Sequence, residues 1–594
     1  MSSSLSRLWP YVKRYRGQIA AGIVCLIAVD VIQLYFPMFI AQAVDALRKS
    51  DAASMRRAIF TMVALAALIV GIRYVWRLLL LGASRKIEVD LRDDYFAKLL
   101  RLPQTTIDHS RSGDLLSIST NDIAVIRQFL GFGIMSLCDS AVLILFSVCL
   151  MLTLSVPLTL LVAIPLPLVT FVMVQTGVKL HDAHEENQNC YGDLSARLQE
   201  DIAGVRVVRS YGQEENRRRQ FSEHAKLYWQ KNMRVIGIQG MFNPLLKFLA
   251  ASAGVLVLWF GGREVIRGNL TLGQYVAFSG YVAMLSWPLM ALGWIINLVQ
   301  RARASMERIN RVMDADSEHT EATSAERSFQ TLEIRGLTQI IHDDPDGRDS
   351  GSFDFENIRL TIRKGEWVGL VGKTAAGKSA LVGRILRIYD PPASAIFFDG
   401  VDVTQIDRQI LRGRISYVPQ EGFLFSQTLL SNFKLGSRAA ADDRVSDIVE
   451  AVQMKDEIAE FADGLKTRVG ERGVTLSGGQ RQRVALGRAL LKDADFYIFD
   501  DPFSAVDLKT EQRIFEQLRR RLSGRGVLLI SHRFRTLSQM DRIVVLDAGR
   551  VVETGSHDEL MRHGGAYARL ASAQAAEDAL EVEMGAAAGA LDRR

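Results

Sequence analysis

Six long apolar runs occupy the first 300 residues of this chain, at 18–47, 57–82, 131–154, 156–178, 236–262 and 271–298. Each is near the ~20 residues that a helix needs to cross a hydrocarbon core of about 30 Å. Inside such a core every backbone N–H and C=O must find a partner within the segment, so helices are the expected form. The pattern commits half of the chain to a bilayer. The other half differs in composition: 48% of the 594 residues are hydrophobic and 23% charged, and the charges gather after residue 300. A net charge of +6, with no basic run interleaved with aromatics, gives no reason to expect nucleic acid as a partner.

The polar stretches between runs set the topology. Ser84–Gln128 carries Arg85, Lys86, Arg92, Lys98 and Arg101, and Lys179–Arg234 carries Arg206, Arg209, Arg217, Arg218 and Arg219. With Lys13, Arg14 and Arg16, these cations belong on the cytoplasmic side, which gives six spans with both termini inside. Apolar residues at helical spacing (Leu91, Tyr95, Leu99 and Leu100; Leu194, Leu198 and Ile202) predict that the spans continue as helices into the cytoplasm. Two short elements are expected at their tips, around Ser112–Ile118 and Val205–Tyr211, where a membrane half would meet a cytoplasmic motor. The N-terminus is basic but has no small-residue cleavage site, so the first run reads as an anchor. Cys25, Cys138, Cys149 and Cys190 have the spacing of neither a metal site nor a disulfide framework. Asp30, Arg73, Arg77, Asp139 and Lys247 fall inside the apolar runs and have two readings, a polar translocation pathway or structural pairing near the headgroups. Met284, Trp287, Met290 and Trp294 lie at helical spacing on one span and read as packing residues.

A second unit begins near Leu332. Trp367–Gly372 reads as a buried strand ending in Gly372, Lys373, Thr374, Ala375, Ala376, Gly377, Lys378, Ser379 and Ala380. This is the G-x-x-x-x-G-K-S loop, whose backbone N–H groups wrap phosphates; its lysine meets the β- and γ-phosphates of ATP and its serine reaches Mg²⁺. A later strand ends in Asp500, an acid placed to hold Mg²⁺. Gln420 is suited to contact the metal and the attacking water, and His532 to steer the γ-phosphate. Leu476, Ser477, Gly478, Gly479 and Gln480 form a glycine-rich opening to a helix, a second phosphate-binding element. One domain already has one phosphate loop, so the second serves an ATP held by a partner domain.

The order of these elements, with Ser504–Asp507 as a D-loop, resembles that of the ABC ATPases. Six spans ahead of them resemble an ABC exporter half-transporter of the type IV fold. The fold expected is a membrane all-α six-helix transmembrane domain with cytoplasmic helix extensions, followed by an α/β P-loop ABC nucleotide-binding domain. The boundaries expected are 1–316 for the first, 317–331 for a linker, 332–573 for the second and 574–594 for a tail. Thr467–Gly473, around Glu471, resembles the family's X-loop, and the stretch around Phe425 resembles the segment that receives a coupling helix. The resemblance implies ATP and Mg²⁺ as cofactors, a location in the inner (plasma) membrane with the nucleotide-binding domain in the cytoplasm, and a small amphiphilic substrate.

Three departures from the family pattern fall in one pocket. Asp501 stands where the family has a glutamate that polarises water. An aspartate carboxylate sits about 1–1.5 Å further back, and misplacement of that order costs about 10²-fold in rate. Ile341 stands where an aromatic usually stacks on the base, with His342 as the alternative. Ala375 stands where a further glycine is frequent; if that position needs φ > 0, alanine costs about 1 kcal/mol. The signature Leu476–Gln480 is intact. This combination resembles the degenerate-site half of heterodimeric ABC multidrug exporters, which implies a different half-transporter as partner. A siderophore-type importer, a lipid flippase, a slow homodimeric ATPase and a non-hydrolysing scaffold are the other readings. A soluble ABC protein is excluded by the spans.

Overall fold

The structure, a computed structural model, describes residues 3–318, 329–341, 353–470 and 473–575. It divides into two compact units, Met1–Leu100 with Ser112–Ala315, and Arg101–Arg111 with Asp316–Arg594.

The first unit is helical. Among the described residues, three stretches are long and apolar enough to cross a bilayer: Arg16–Arg48, Ala52–Leu99 and Ser112–Leu154. The other three apolar runs lie on Val156–Ala163 continued by Pro165–Ala203, on Glu214–Leu256, and on Leu272–Asp314. The predicted extensions are present. Ala52–Leu99 is one helix of 48 residues, about 70 Å long at 1.5 Å per residue. Asp51 caps its start by accepting from the N–H groups of Ala53 and Ser54 at 3.1 Å. The first run breaks at Tyr35, and Pro37 sits in the first turn of the next helix, where its missing N–H costs nothing.

Several polar side chains inside this unit are paired, whereas the buried hydroxyls of Ser140 and Ser147 have no hydrogen-bond partner among the described residues. Tyr281 donates to the carbonyl of Leu34 at 2.9 Å, and Asp45 accepts from the Thr271 hydroxyl at 2.7 Å and the Gly273 N–H at 2.9 Å. A Cβ on Gly273 would lie 2.3 Å from the Ala41 carbonyl oxygen, so the absence of a side chain there lets Phe36–Arg48 and Leu272–Asp314 close together. Buried Glu88 takes Arg85, Arg92 and Arg127 at 2.9–3.3 Å, and buried Asp122 takes Ser305 and Arg308. Of the ionisable residues in the runs, Arg73 donates to Gln33 at 3.1 Å and Arg77 lies over the Trp76 ring. The Lys247 and Met290 side chains lie outside the described residues. Met284 packs against the buried cluster around Phe278 and Tyr281, and Trp294 meets Phe132 edge to face at 4.9 Å. Trp287 is exposed, so the packing expected of it is not made within the chain.

Val205–Ser210 forms a short helix at one expected tip, whereas Ser112–Ser117 opens the long helical stretch Ser112–Leu154 and is not a separate short element. The segment that packs with the second unit, however, is Arg101–Arg111, with its short helix Gln104–Asp108. There the Tyr389 hydroxyl donates to Asp108 at 2.7 Å, and the Glu318 N–H donates to the Arg101 carbonyl at 2.7 Å.

The second unit has two sheets. Strands β1 (Thr331–Ile341), β2 (Phe353–Arg363), β4 (Ile396–Phe398) and β5 (Val401–Asp402) form an antiparallel sheet in the order β2-β1-β4-β5. Strands β3 (Trp367–Val371), β6 (Ile415–Val418), β7 (Phe496–Asp500), β8 (Gly526–Ile530), β9 (Arg542–Asp547) and β10 (Arg550–Gly555) form the other, in the order β10-β9-β3-β8-β7-β6. All pairings from β9 to β6 are parallel. A parallel sheet is covered on both faces, and these strands alternate accordingly. Val368, Leu370, Ile498, Leu528 and Ile530 enter one core; Trp367, Val371, Phe499, Val527 and Leu529 enter the other.

Candidate nucleotide site

Strand register brings the predicted residues to one sheet edge. Leu370 and Asp500 are both level with Ile530, and Val418 is level with Phe499. Gly372, Asp501, His532 and Gln420 therefore all follow the C-terminal ends of neighbouring strands, where open α/β sheets bind ligands.

The phosphate loop is shaped by contact and by backbone angle. A Cβ on Gly372 would lie 2.1 Å from the Leu546 carbonyl oxygen, which admits no side chain. Lys373, Thr374 and Ala375 are exposed, Ala376 is buried, and Gly377 at φ 95° opens the helix Lys378–Ile385. Ala375 has φ 62°, so the condition set for its cost is met. Buried Lys378 donates to the carbonyls of Gly372 and Lys373, both at 2.8 Å. Its burial pulls the ammonium below the ordinary lysine value, against the attraction of Asp500 and Asp501. Ser379 and Ala380 follow in the first helical turn.

The two acids stand side by side. Asp500 is buried; burial lifts its carboxyl above the ordinary carboxylate value, against a hydrogen bond with Ser379 and the charges of Lys378 and His532. The Asp501 carboxyl is likewise raised, first by burial, with His532, Arg533 and Lys378 opposing. Asp501 sits at φ 48° and its N–H donates to the Ile530 carbonyl at 3.0 Å. His532 is held below the ordinary imidazole value by burial and by Lys378, with both acids opposing. Gln420 is exposed just past β6. An ammonium, two carboxyls, a hydroxyl and an imidazole are thus gathered at one place. The Ser379–Asp500 pair offers two hard oxygen donors, the type of ligand that suits Mg²⁺.

Ile341 ends β1, paired with Phe353, and its side chain lies outside the described ones. His342 and Glu471 lie outside the described residues. The signature forms a tight helix start. Ser477 caps Gly478–Leu491 through a reciprocal pair with Gln480: the Gln480 N–H donates to Ser477 Oγ at 3.2 Å, and the Ser477 N–H donates to Gln480 Oε1 at 2.9 Å. Gln480 Nε2 also donates to Glu457 at 2.9 Å, so the Gln480 side chain braces the helix start. Leu476 is buried behind it. Asp507 caps the helix Leu508–Arg521 by accepting from the Thr510 N–H at 3.0 Å, which holds its carboxyl below the ordinary value.

Sequence reasoning passed over Gln482, which lies 5% exposed beneath the signature and bonds to several parts of the site. The available signal was a glutamine on the apolar stripe shared with Leu486 and Ala489. It also passed over the Asp108–Tyr389 bond, for which an exposed acid and tyrosine 281 positions apart give no local sign.

Two family profiles match the chain: the ABC transporter transmembrane region at residues 19–289, and ABC transporter at residues 355–504. Over 571 residues it is 34% identical to the probable multidrug resistance ABC transporter ATP-binding/permease protein YheI of Bacillus subtilis, covering 96% of this chain and 97% of that one. It is 32% identical to the multidrug resistance-like ATP-binding protein MdlA of Escherichia coli, covering 96% and 95%. It is 29% identical to the ATP-dependent lipid A-core flippase of Syntrophus aciditrophicus, covering 98% and 96%. A bacterial Atm1-family ABC exporter, solved with ATP bound, shares the fold at a TM-score of 0.76 and 24% identity, over 94% of this chain and 98% of that one. A membrane-spanning helical half, a nucleotide-binding half and a 34% identical relative along nearly the whole length place this chain in the family of ABC transporters, membrane proteins that hydrolyse ATP.

Proposed function

We propose that this chain is one half of an ATP-driven exporter of small amphiphilic compounds, working beside a different half-transporter. Its own pocket hydrolyses slowly, and its signature completes the partner's productive site. The observation that carries this reading is the contrast between Asp501, one methylene short of a glutamate, and an intact, doubly capped signature. In a homodimer both sites would carry the short acid.

In this reading residues 1–316 form the transmembrane domain, 332–573 the nucleotide-binding domain, 317–331 the linker and 574–594 a tail. Lys378 and the loop N–H groups bind the ATP phosphates, and Ser379 and Asp500, with Gln420, hold Mg²⁺. The ion when bound supplies charge neutralisation on the β- and γ-phosphates. His532 orients the γ-phosphate, Asp501 acts as a weak base, and Ile341 sits beside the adenine. Ser477, Gly478 and Gly479 act on the partner's ATP. Closure around two nucleotides shifts the population toward the state that binds ATP more tightly. The multidrug names of two relatives support amphiphilic cargo, and the flippase among the relatives makes lipid flipping the second reading.

Asp501→Glu tests the proposal. Basal ATP hydrolysis by the complex is expected to rise several-fold as the carboxylate regains its reach, within the ~10²-fold attached to such a displacement. An unchanged rate would mean that position 501 does not silence the site.

A further inference from the structure

Gln482 lies on the inner face of the helix Gly478–Leu491, and its amide touches two separate loops, the one after β6 that carries Gln420 and the one after β7 that carries Asp501, Ser504 and Ala505. The two protons of Nε2 are shared among three acceptors, the Ser504 hydroxyl and, at longer range, the carbonyls of Gln420 at 3.4 Å and Asp501 at 3.5 Å. Oε1 accepts from the Ala505 N–H at 2.9 Å. Only one orientation of the amide satisfies this set, because Ala505 offers a donor whereas Gln420 and Asp501 offer carbonyl acceptors. The signature glycines close the arrangement from the other side. A Cβ on Gly479 would lie 2.7 Å from the Ala505 carbonyl oxygen, and one on Gly478 would lie 3.3 Å from the Ala505 Cβ. Ala505 is therefore gripped between the signature turn and the Gln482 amide, while Asp501 and Gln420 hang from the same amide.

These contacts join two groups of residues with different duties. Gln420 and Asp501 belong to the pocket built on this chain's phosphate loop. Gly478 and Gly479 face the nucleotide of the partner in the two-site reading above, on which this inference rests. The buried amide bonds to the first group directly and to Ala505, against which the second group packs. A shift of the signature turn that moves Ala505 therefore strains the bonds to Gln420 and Asp501, and buried polar groups resist that loss. We infer that Gln482 is a positioning residue that couples the two ATP sites: engagement of the signature at one site fixes the Gln420 and Asp501 geometry of the other. Its contribution passes through the backbones of Asp501, Ala505 and Gln420 and not through contact with nucleotide.

The test uses the full-length chain, purified in nanodiscs with the half-transporter that accompanies it, and reads ATP hydrolysis against ATP concentration. Wild type is expected to give a Hill coefficient above 1. Gln482→Leu keeps the volume and removes the amide; it is expected to bring the coefficient to about 1 and to lower kcat about tenfold, with KM altered less than about twofold. Ser504→Ala, which removes one partner, is expected to move both quantities in the same direction by less. A purely structural role would move the thermal midpoint and leave cooperativity in place. The inference is overturned if Gln482→Leu keeps the wild-type coefficient, or if its loss of rate only follows a loss of thermal midpoint. If Gln482→Leu does not fold, a wild-type coefficient in Ser504→Ala overturns it equally. A coefficient of 1 in wild type overturns the two-site reading itself, and the inference with it.

Discussion

Position 375 shows how far a single backbone angle can be read from a motif. The phosphate loop wraps phosphates with consecutive N–H groups, a shape that drives some of its residues to positive φ. Alanine at φ 62° carries a Cβ against the following carbonyl. Ala375→Gly is therefore expected to stabilise the nucleotide-binding domain by about 1 kcal/mol, which raises its unfolding midpoint by about 2–4 °C. Differential scanning calorimetry of the full chain checks this, and a lowered midpoint would contradict it. Position 501 lies in the same region of backbone space, and a short polar side chain is among the few that tolerate it. The His532 ring is held below its ordinary value, so on acidification the unfolded chain takes up a proton before the folded one does. The ring is neutral at pH 7, and its contribution to stability is lost as pH falls below the ordinary value of about 6.5. An acid limb of ATP hydrolysis due to this group is expected below that pH; a limb centred above pH 7 that disappears in His532→Ala would contradict the assignment.

At the level of elements, the long helices and the phosphate-binding strand were legible because each is written locally. The apolar run 57–82, with helical spacing beyond it at Leu91, Tyr95 and Leu99, predicts a span that continues into the cytoplasm, and the structure has one helix there, Ala52–Leu99. Five buried residues followed by the glycine-rich loop mark β3 and the helix after it. What escaped is set by tertiary contact. Ser112–Ile118 and Arg101–Arg111 are comparable in polarity, and only packing assigns the second of them to the nucleotide-binding unit. Gln482 escaped because a motif reading stops at Gln480, whereas the helix continues its inner face two residues on. The Tyr389–Asp108 bond is exposed, and such a bond contributes about 0.5–1.5 kcal/mol. Tyr389→Phe is expected to speed amide hydrogen exchange in Gln104–Asp108 by up to about tenfold, with exchange in β3 unchanged. Equal exchange in both proteins would show that the hydroxyl does not hold that helix.

On the scale of the whole molecule, the chain carries one phosphate loop and one signature. In the proposed function each takes its complement from a second chain. In that reading the departures at Asp501, Ile341 and Ala375 all fall in the half that binds this chain's own nucleotide, and none falls in the half offered outward. Such an uneven pair makes sense if the complement is a different chain with a glutamate after its own β7 acid. Native mass spectrometry of the tagged chain, gently extracted from its own membranes, tests this directly. The proposal predicts the 66.1 kDa chain in complex with a second, different half-transporter. A complex made only of two copies of this chain would contradict it.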